Sequence, residues 1–227
     1  MTLDARVLSI NIGQPRTVPY DGETVRTAIY KDSVEGPVRL TRLGFVGDGQ
    51  ADRSVHGGPT RAAYLYPHEH YAHWESRLGG GPLPYGQFGE NLTTEGLLET
   101  TLHVGDVFVL GGARVQVESP RVPCFKLGIR TGDPTIIGPF LESGRLGTYL
   151  SVFEEGPVAP GDTVSLLHRV DGAVTLAELI AALYHPGTPD ALLERVLVSP
   201  GLKLEHAARI DKLRRAGAKD PWPLETQ

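Results

Sequence analysis

The chain has 227 residues, a hydrophobic content of 40% and a formal net charge of −5. That is enough apolar material for one sizeable core, or for one core with a small appendage. The acidic balance lacks the basic footprint that a nucleic-acid polymer requires. No apolar run approaches the roughly 18 residues of a membrane span, and a single cysteine cannot form an internal disulfide.

The opening MTLDARVLSI lacks the charged start, apolar run and small-residue cleavage site of a secretory signal, so the cytoplasm is the expected compartment. With 28 glycines and 18 prolines, many turns and short strands are predicted. Ala5 to Ile12 alternates and runs into Gly13-Gln14-Pro15. Val38 to Phe45 alternates likewise and meets Gly47-Asp48-Gly49. Pro67 suits a first helical position, with His70, Trp74 and Leu78 on one stripe before Gly79-Gly80-Gly81 ends it. Val104 to Leu110 and Arg114 to Ser119 flank Gly111-Gly112, a predicted hairpin.

A second helix is predicted over Thr135 to Ser143, between Pro134 and Gly144. Thr148 to Phe153 and Thr163 to Leu167 read as two more strands. The phrases VGDVFVL and PGDTVSLL lead into two of the strands, as suits a β-barrel whose corners turn at Gly-Asp. After residue 170 the period changes to that of helices. Thr175 can cap a helix with Leu176, Leu179, Ile180 and Leu183 on one face, ended by His185-Pro186-Gly187. Pro189 to Val198 and Leu204 to Ala216 follow. The last of these is basic at its end (Lys212, Arg214, Arg215), as the helix dipole favours. The expected fold is mainly β with α: a strand-rich barrel domain over 1–170 and a small three-helix domain over 171–227, leaning on the body or on a partner.

Cys124 sits in SPRVPCFKLG, residues 119–128. It reads either as a buried small hydrophobe or as a reactive thiolate. Its Pro-bounded loop follows a strand, and Arg121 and Lys126 bring positive charge that favours a thiolate, whereas Phe125 and Leu127 favour burial. A second constellation, GDGQADRSVHGGPTRAAYLYP at 47–67, sets Asp48, Asp52, Arg53, His56 and Arg61 among glycines. Such glycines let backbone amides approach a ligand, and the Arg and His suit a phosphate or polar ring edges; a polar turn with solvated charges is the other reading. In GQFGENLTTEG at 86–96, Glu90 and Asn91 either bind ligand edges or cap turns. The helix PHEHYAHWE fails the zinc-protease pattern, because Ala72 stands four residues after His68. His70 and His73 can share a face, but no third ligand is evident. There is no G-x-S-x-G elbow, dinucleotide fingerprint or phosphate loop.

Taken in order, IGQPR, TAIYK, GDGQADRSVHGG, YPHEHY, FGENLTTEGL, VGDVFVLG, PRVPCFKL and YLSVFEEGPVAPGD resemble the YiiM-type branch of the MOSC-domain proteins. These are β-barrel relatives of the C-terminal domain of molybdenum cofactor sulfurases. The resemblance runs from about residue 7 to residue 167, and the helical tail resembles that branch's three-helix appendage. It implies a site for the pyranopterin-dithiolene molybdenum cofactor, with Cys124 as the protein thiolate on the metal and as a catalytic residue. A soft thiolate is the ligand such a metal favours. The resemblance also implies reduction of N-hydroxylated small molecules, such as N-hydroxylated purine base analogues, to amines. Lys31, Arg61, Arg121 and Lys126 would then neutralise the cofactor phosphate. Asp52, His56, Glu90 and Asn91 would read pterin edges, and His56 would deliver protons to the departing oxygen.

Two other functions stay open at the sequence level: a sulfur carrier using a Cys124 persulfide, and a non-catalytic protein that stores or delivers the cofactor. A plant-type iron–sulfur cluster needs four cysteines, so the electrons are expected from a separate reductase, flavin- or haem-containing.

Overall fold

A computed structural model describes residues 4–51 and 57–216. The strands come as expected from alternation and turn signals, with several additions. β1 (Arg6–Ile12) leads to a hairpin of β2 (Arg16–Tyr20) and β3 (Glu23–Thr27). Its turn is Asp21-Gly22, both at positive φ (50° and 78°), the geometry for which Asp-Gly is favoured. β4 (Asp32–Val34) follows, then β5 (Val38–Thr41) and β6 (Gly44–Phe45), which split the single predicted strand into a tight pair. β7 (Ala63–Pro67) is buried throughout and precedes α1 (Tyr71–Arg77). β8 (Leu92–Glu95), β9 (Val107–Leu110) and β10 (Ala113–Pro120) come next. Two short helices, α2 (Phe125–Thr131) and α3 (Ile137–Glu142), separate β10 from β11 (Thr148–Glu154). β12 (Gly156–Val158) and β13 (Val164–His168) complete the strands.

The largest sheet has eight strands in the order β13-β9-β10-β11-β7-β8-β1-β4. Its pairs are antiparallel except β7 with β8, which run parallel with Leu65 opposite Leu92. The fold is mixed α/β around this large mixed sheet. One bridge, Arg6 with Thr163, returns the β13 side to the start of β1. Val7 N donates to Asp162 O at 2.9 Å and Val164 N to Ala5 O at 2.8 Å. Beyond that contact β1 pairs with β8 and β4 while β13 pairs with β9.

The three C-terminal helices are present as α4 (Leu176–Tyr184), α5 (Asp190–Leu197) and α6 (Leu204–Ala216). The Thr175 hydroxyl accepts from Glu178 N while the Glu178 carboxylate accepts from Thr175 N, a capping box that fixes the start of α4. These helices share the core of the body. Leu176, Leu179 and Leu183 of α4, Leu193 and Val196 of α5, and Ile210 of α6 are buried in one cluster with Leu102, Val104, Val115 and Val117. A second, aromatic cluster holds Tyr66, Tyr71, Trp74, Phe88 and Phe140, joined by Leu127 of α2. Trp74 stacks on Phe140 at 5.0 Å and donates from Nε1 to Tyr66 OH at 2.6 Å, so the indole's polar edge is satisfied inside the core.

Candidate functional site

Strands β3, β7 and β11, the start of α2 and several loops converge on one pocket. Pro120 ends β10, Arg121 to Pro123 lead outwards, and Cys124 is the last extended residue (φ −122°, ψ 171°) before α2 begins. The thiol is half-buried and opens on a cavity of about 120 Å³. Lys31, Arg61, Asn91, Arg121 and Lys126 line the same cavity, so six of the residues singled out in the sequence meet there. Thr27, Asp48, Gln50, Tyr64 and Tyr149 complete much of the wall, with glycines at 49, 57 and 89. At Gly89 (φ 79°) an added Cβ would stand 2.8 Å from the Ile29 side chain, so this wall is closely packed from behind.

Arg121 is buried although it carries a charge. Its Nη1 donates to Phe88 O at 2.9 Å, and its guanidinium lies 4.8 Å from the Tyr64 ring centre. Burial alone acts against the charge, but Tyr64, Tyr149 and Cys124 around it hold its pKa above the usual guanidinium value. No ion pair forms at Arg121 or Lys126 among the described residues. Tyr64 and Tyr149, with ring centres 5.6 Å apart, are pushed above the ordinary tyrosine range by burial, with Arg121 opposing the shift. Both therefore stay neutral hydroxyls; that of Tyr64 donates to Leu146 O at 2.7 Å.

Lys31 meets an internal counter-ion. Its Nζ lies 2.5 Å from Asp48 Oδ1, which also accepts from Gly13 N at 2.8 Å. Asp48 Oδ2 accepts from Asn91 Nδ2 at 2.9 Å, and Asn91 Oδ1 accepts from Tyr64 N at 3.2 Å. Asp48 and Asn91 thereby tie the loop after β6 to β7 and to the approach to β8. Asp48 and the two tyrosines were given no role by the sequence reading. Asp48 stands among the very glycines singled out there, whereas the tyrosines look like ordinary strand residues.

Glu90 lies behind the wall and does not line the cavity. Fully buried, its carboxylate accepts from Gly86 N and Phe88 N at 2.9 Å, from Thr93 Oγ1 at 3.1 Å and from Tyr71 OH. Burial raises its pKa, and these hydrogen bonds work against the rise. It shapes the 86–90 turn, whose Gly89 faces the cavity and whose Phe88 carbonyl holds Arg121. Arg61 ends a short 3₁₀ turn (Pro59–Arg61) with its guanidinium 5.7 Å from the Tyr149 ring centre. Asp52 and His56 lie outside the described residues.

On the opposite side of the aromatic cluster, His70 Nε2 is 2.7 Å from Glu99 Oε2, in the protein interior. Among the described residues no group of three or more His, Cys, Asp or Glu side chains converges as a metal cage. A metal at Cys124 would therefore take its other donors from a bound cofactor. A thiol beside Arg121 and Lys126, which form no ion pair among the described residues, fits an anionic group whose own sulfurs complete a soft metal's coordination.

The MOSC domain profile matches residues 52–165. The chain belongs to the MOSC-domain family. It is 37% identical to Protein YiiM of Escherichia coli over 197 residues, covering 84% of this chain and 86% of YiiM. A protein named "Reductase" from Gibberella moniliformis is 36% identical over 166 residues; the match covers 72% of this chain but only 29% of that much longer protein. The crystal structure of YiiM from Geobacillus stearothermophilus superposes with a TM-score of 0.73 at 32% identity, covering 92% of this chain and 98% of the other. MOSC domains as a family bind the molybdenum cofactor. Cys124, Arg121 and Arg61 all fall within the matched MOSC segment. No described helix is long and apolar enough to cross a membrane.

Proposed function

We propose that the protein is a molybdenum cofactor-dependent reductase that converts N-hydroxylated compounds, such as N-hydroxylated purine base analogues, to amines. The observation that carries this reading is the half-buried Cys124 thiol on a cavity whose cations Arg121 and Lys126 have no ion pair among the described residues. The MOSC relationship and the reductase name of one relative agree with it. When bound, the cofactor supplies the two-electron chemistry: R–NHOH, two electrons and two protons give R–NH2 and water.

The chain's own residues do the rest. Cys124 Sγ holds the metal, and Arg121, Lys126 and Arg61 receive the cofactor's phosphate. The neutral Tyr64 and Tyr149 keep one wall uncharged, with the Tyr64 hydroxyl donating to Leu146 O. Lys31 and Asp48 neutralise one another, which leaves Lys31 to fix the wall rather than to bind phosphate. Proton delivery to the departing oxygen is assigned to His56, with Asp52 near the pterin edge, on the family resemblance. The electrons come from a separate protein reductase.

Protein made in a cofactor-competent host is expected to carry about one molybdenum per chain and to reduce an N-hydroxylated purine with reduced viologen. Cys124→Ala should fold and lose that turnover. Turnover at the parent rate in Cys124→Ala would overturn the reading, and sulfur on Cys124 without molybdenum would make the protein a sulfur carrier instead.

A further inference from the structure

Two arginines converge on one ring at the border of the pocket. Arg16, at the start of β2, has its guanidinium carbon 3.4 Å from the centre of the Tyr30 ring. That of Arg130, in the last turn of α2, stands 5.3 Å from the same centre. Tyr30 is held in place by its OH, which donates to Ile129 O at 3.5 Å. Its neighbours Ile29 and Lys31 both line the pocket, as does Lys126, one turn before Arg130 on α2. Neither guanidinium lines the cavity, but Arg130 shares its face of α2 with Lys126, which does.

Neither Arg16 nor Arg130 forms an ion pair among the described residues. Among the described residues Arg130 Nε is buried without a hydrogen-bond partner, and of the described buried side-chain atoms in that condition it alone belongs to a charged group. Burial pushes the Arg130 guanidinium below its usual value and Arg16 adds to that push, while Glu90, Tyr30 and Asp32 pull the other way. A buried N–H of a charged group is costly to leave unpaired, and two like charges on one ring repel. An anion between them removes both costs. Guanidinium donors in a planar fork match a phosphate, and two arginines match its double charge.

We propose that Arg16 and Arg130 form a phosphate subsite at the border of the pocket, for a phosphate carried by a ligand whose other end enters the cavity. This rests on the cavity being a ligand site and not on the reaction proposed for it. Because Arg121, Lys126 and Arg61 are assigned the cofactor's phosphate, the phosphate here is that of a phosphorylated substrate, and its occupation by the cofactor's phosphate instead is the other outcome of the test.

Calorimetric titration of the full-length, cofactor-free protein separates the possibilities, with inorganic pyrophosphate, adenosine 5′-monophosphate and adenosine as probes. Pyrophosphate and the monophosphate should bind. Arg16→Ala, an exposed strand change, and Arg130→Ala should each weaken both by about 10-fold or more, in keeping with loss of a charged hydrogen bond. Arg130→Lys, which keeps the charge but not the fork, should fall between wild type and Arg130→Ala. If the cofactor's phosphate fills the subsite, loading with cofactor abolishes monophosphate binding; if the substrate's does, monophosphate binding survives loading. No binding of either phosphate to the wild type, or equal affinities in wild type, Arg16→Ala and Arg130→Ala, would overturn the subsite.

Discussion

Lys31 Nζ and Asp48 Oδ1 lie 2.5 Å apart with each side chain only 8% exposed, so the pocket wall contains a neutralised pair where the sequence shows a lone basic residue. Asp48 also accepts from Gly13 N and Asn91 Nδ2. Asp48→Ala therefore strands a buried ammonium and two donors at once. The expected loss is about 3–5 kcal/mol of unfolding free energy, the usual range for breaking a buried pair from one side. Lys31→Met combined with Asp48→Asn should cost clearly less than the two single changes added together. Strict additivity in a denaturation double-mutant cycle would show that the pair is not coupled.

Arg121 and Lys126 line the same cavity but differ in burial, and their alanine variants should differ accordingly. Arg121→Ala leaves the Phe88 carbonyl unpaired and opens space against Tyr64. It should lower both molybdenum content and stability, the latter by about 2–3 kcal/mol. Lys126→Ala should lower molybdenum content and leave the melting temperature within a degree or two. Metal analysis beside thermal denaturation tests both. An unchanged molybdenum content in Lys126→Ala would remove that residue from the phosphate site.

His206 of α6 titrates low because it is largely buried. Burial takes its pKa down to about 4, and the nearby Lys203, Arg209 and Arg61 reinforce the shift, while Glu205 at 3.9 Å opposes it. Between its ordinary value and about pH 4 the unfolded chain binds a proton that the native state refuses. Stability contributed by neutral His206 is thus present near neutral pH and lost as pH falls through that window. The full effect is on the order of 3 kcal/mol. Unfolding free energies measured from pH 7 to pH 4 should fall less steeply in His206→Gln than in the wild type. Parallel curves would mean that His206 is not protonated on unfolding.

The electron source is the fourth test. With one cysteine and no dinucleotide fingerprint, the isolated chain is expected to be inert with NADH or NADPH and active with reduced viologen once loaded with molybdenum. Sustained turnover with a nicotinamide as sole donor would refute the need for a partner reductase.

Much of this was legible where local chemistry decides structure. Thr175 announced the start of α4, and Gly111-Gly112 announced the β9–β10 hairpin. The Asp21-Gly22 turn carried an equally good hairpin signal that went unread, because β2 and β3 are too polar to alternate clearly. α2 was hidden by its shortness and by Gly128 within it, so Cys124 looked like a loop residue rather than the residue before a helix. Which cations face a ligand could not be read locally. Lys31 and Glu90 find their partners 17 and 19 residues away, in Asp48 and Tyr71, and only the folded chain brings those together.

The C-terminal helices have one more consequence. Because Leu176, Leu179, Leu183, Val196 and Ile210 lie in the same apolar cluster as the strands, the tail cannot swing as an arm that fetches a partner. Lys203 on Glu118 of β10 at 3.1 Å pins it further, and Arg214 near Glu194 at 3.6 Å ties α6 to α5. A donor protein that uses the basic end of α6 must therefore meet a fixed landing ground. Its electron-carrying group must then reach the Cys124 pocket through its own placement on that ground, and the length of the electron path is set when the chain folds rather than when the partner arrives.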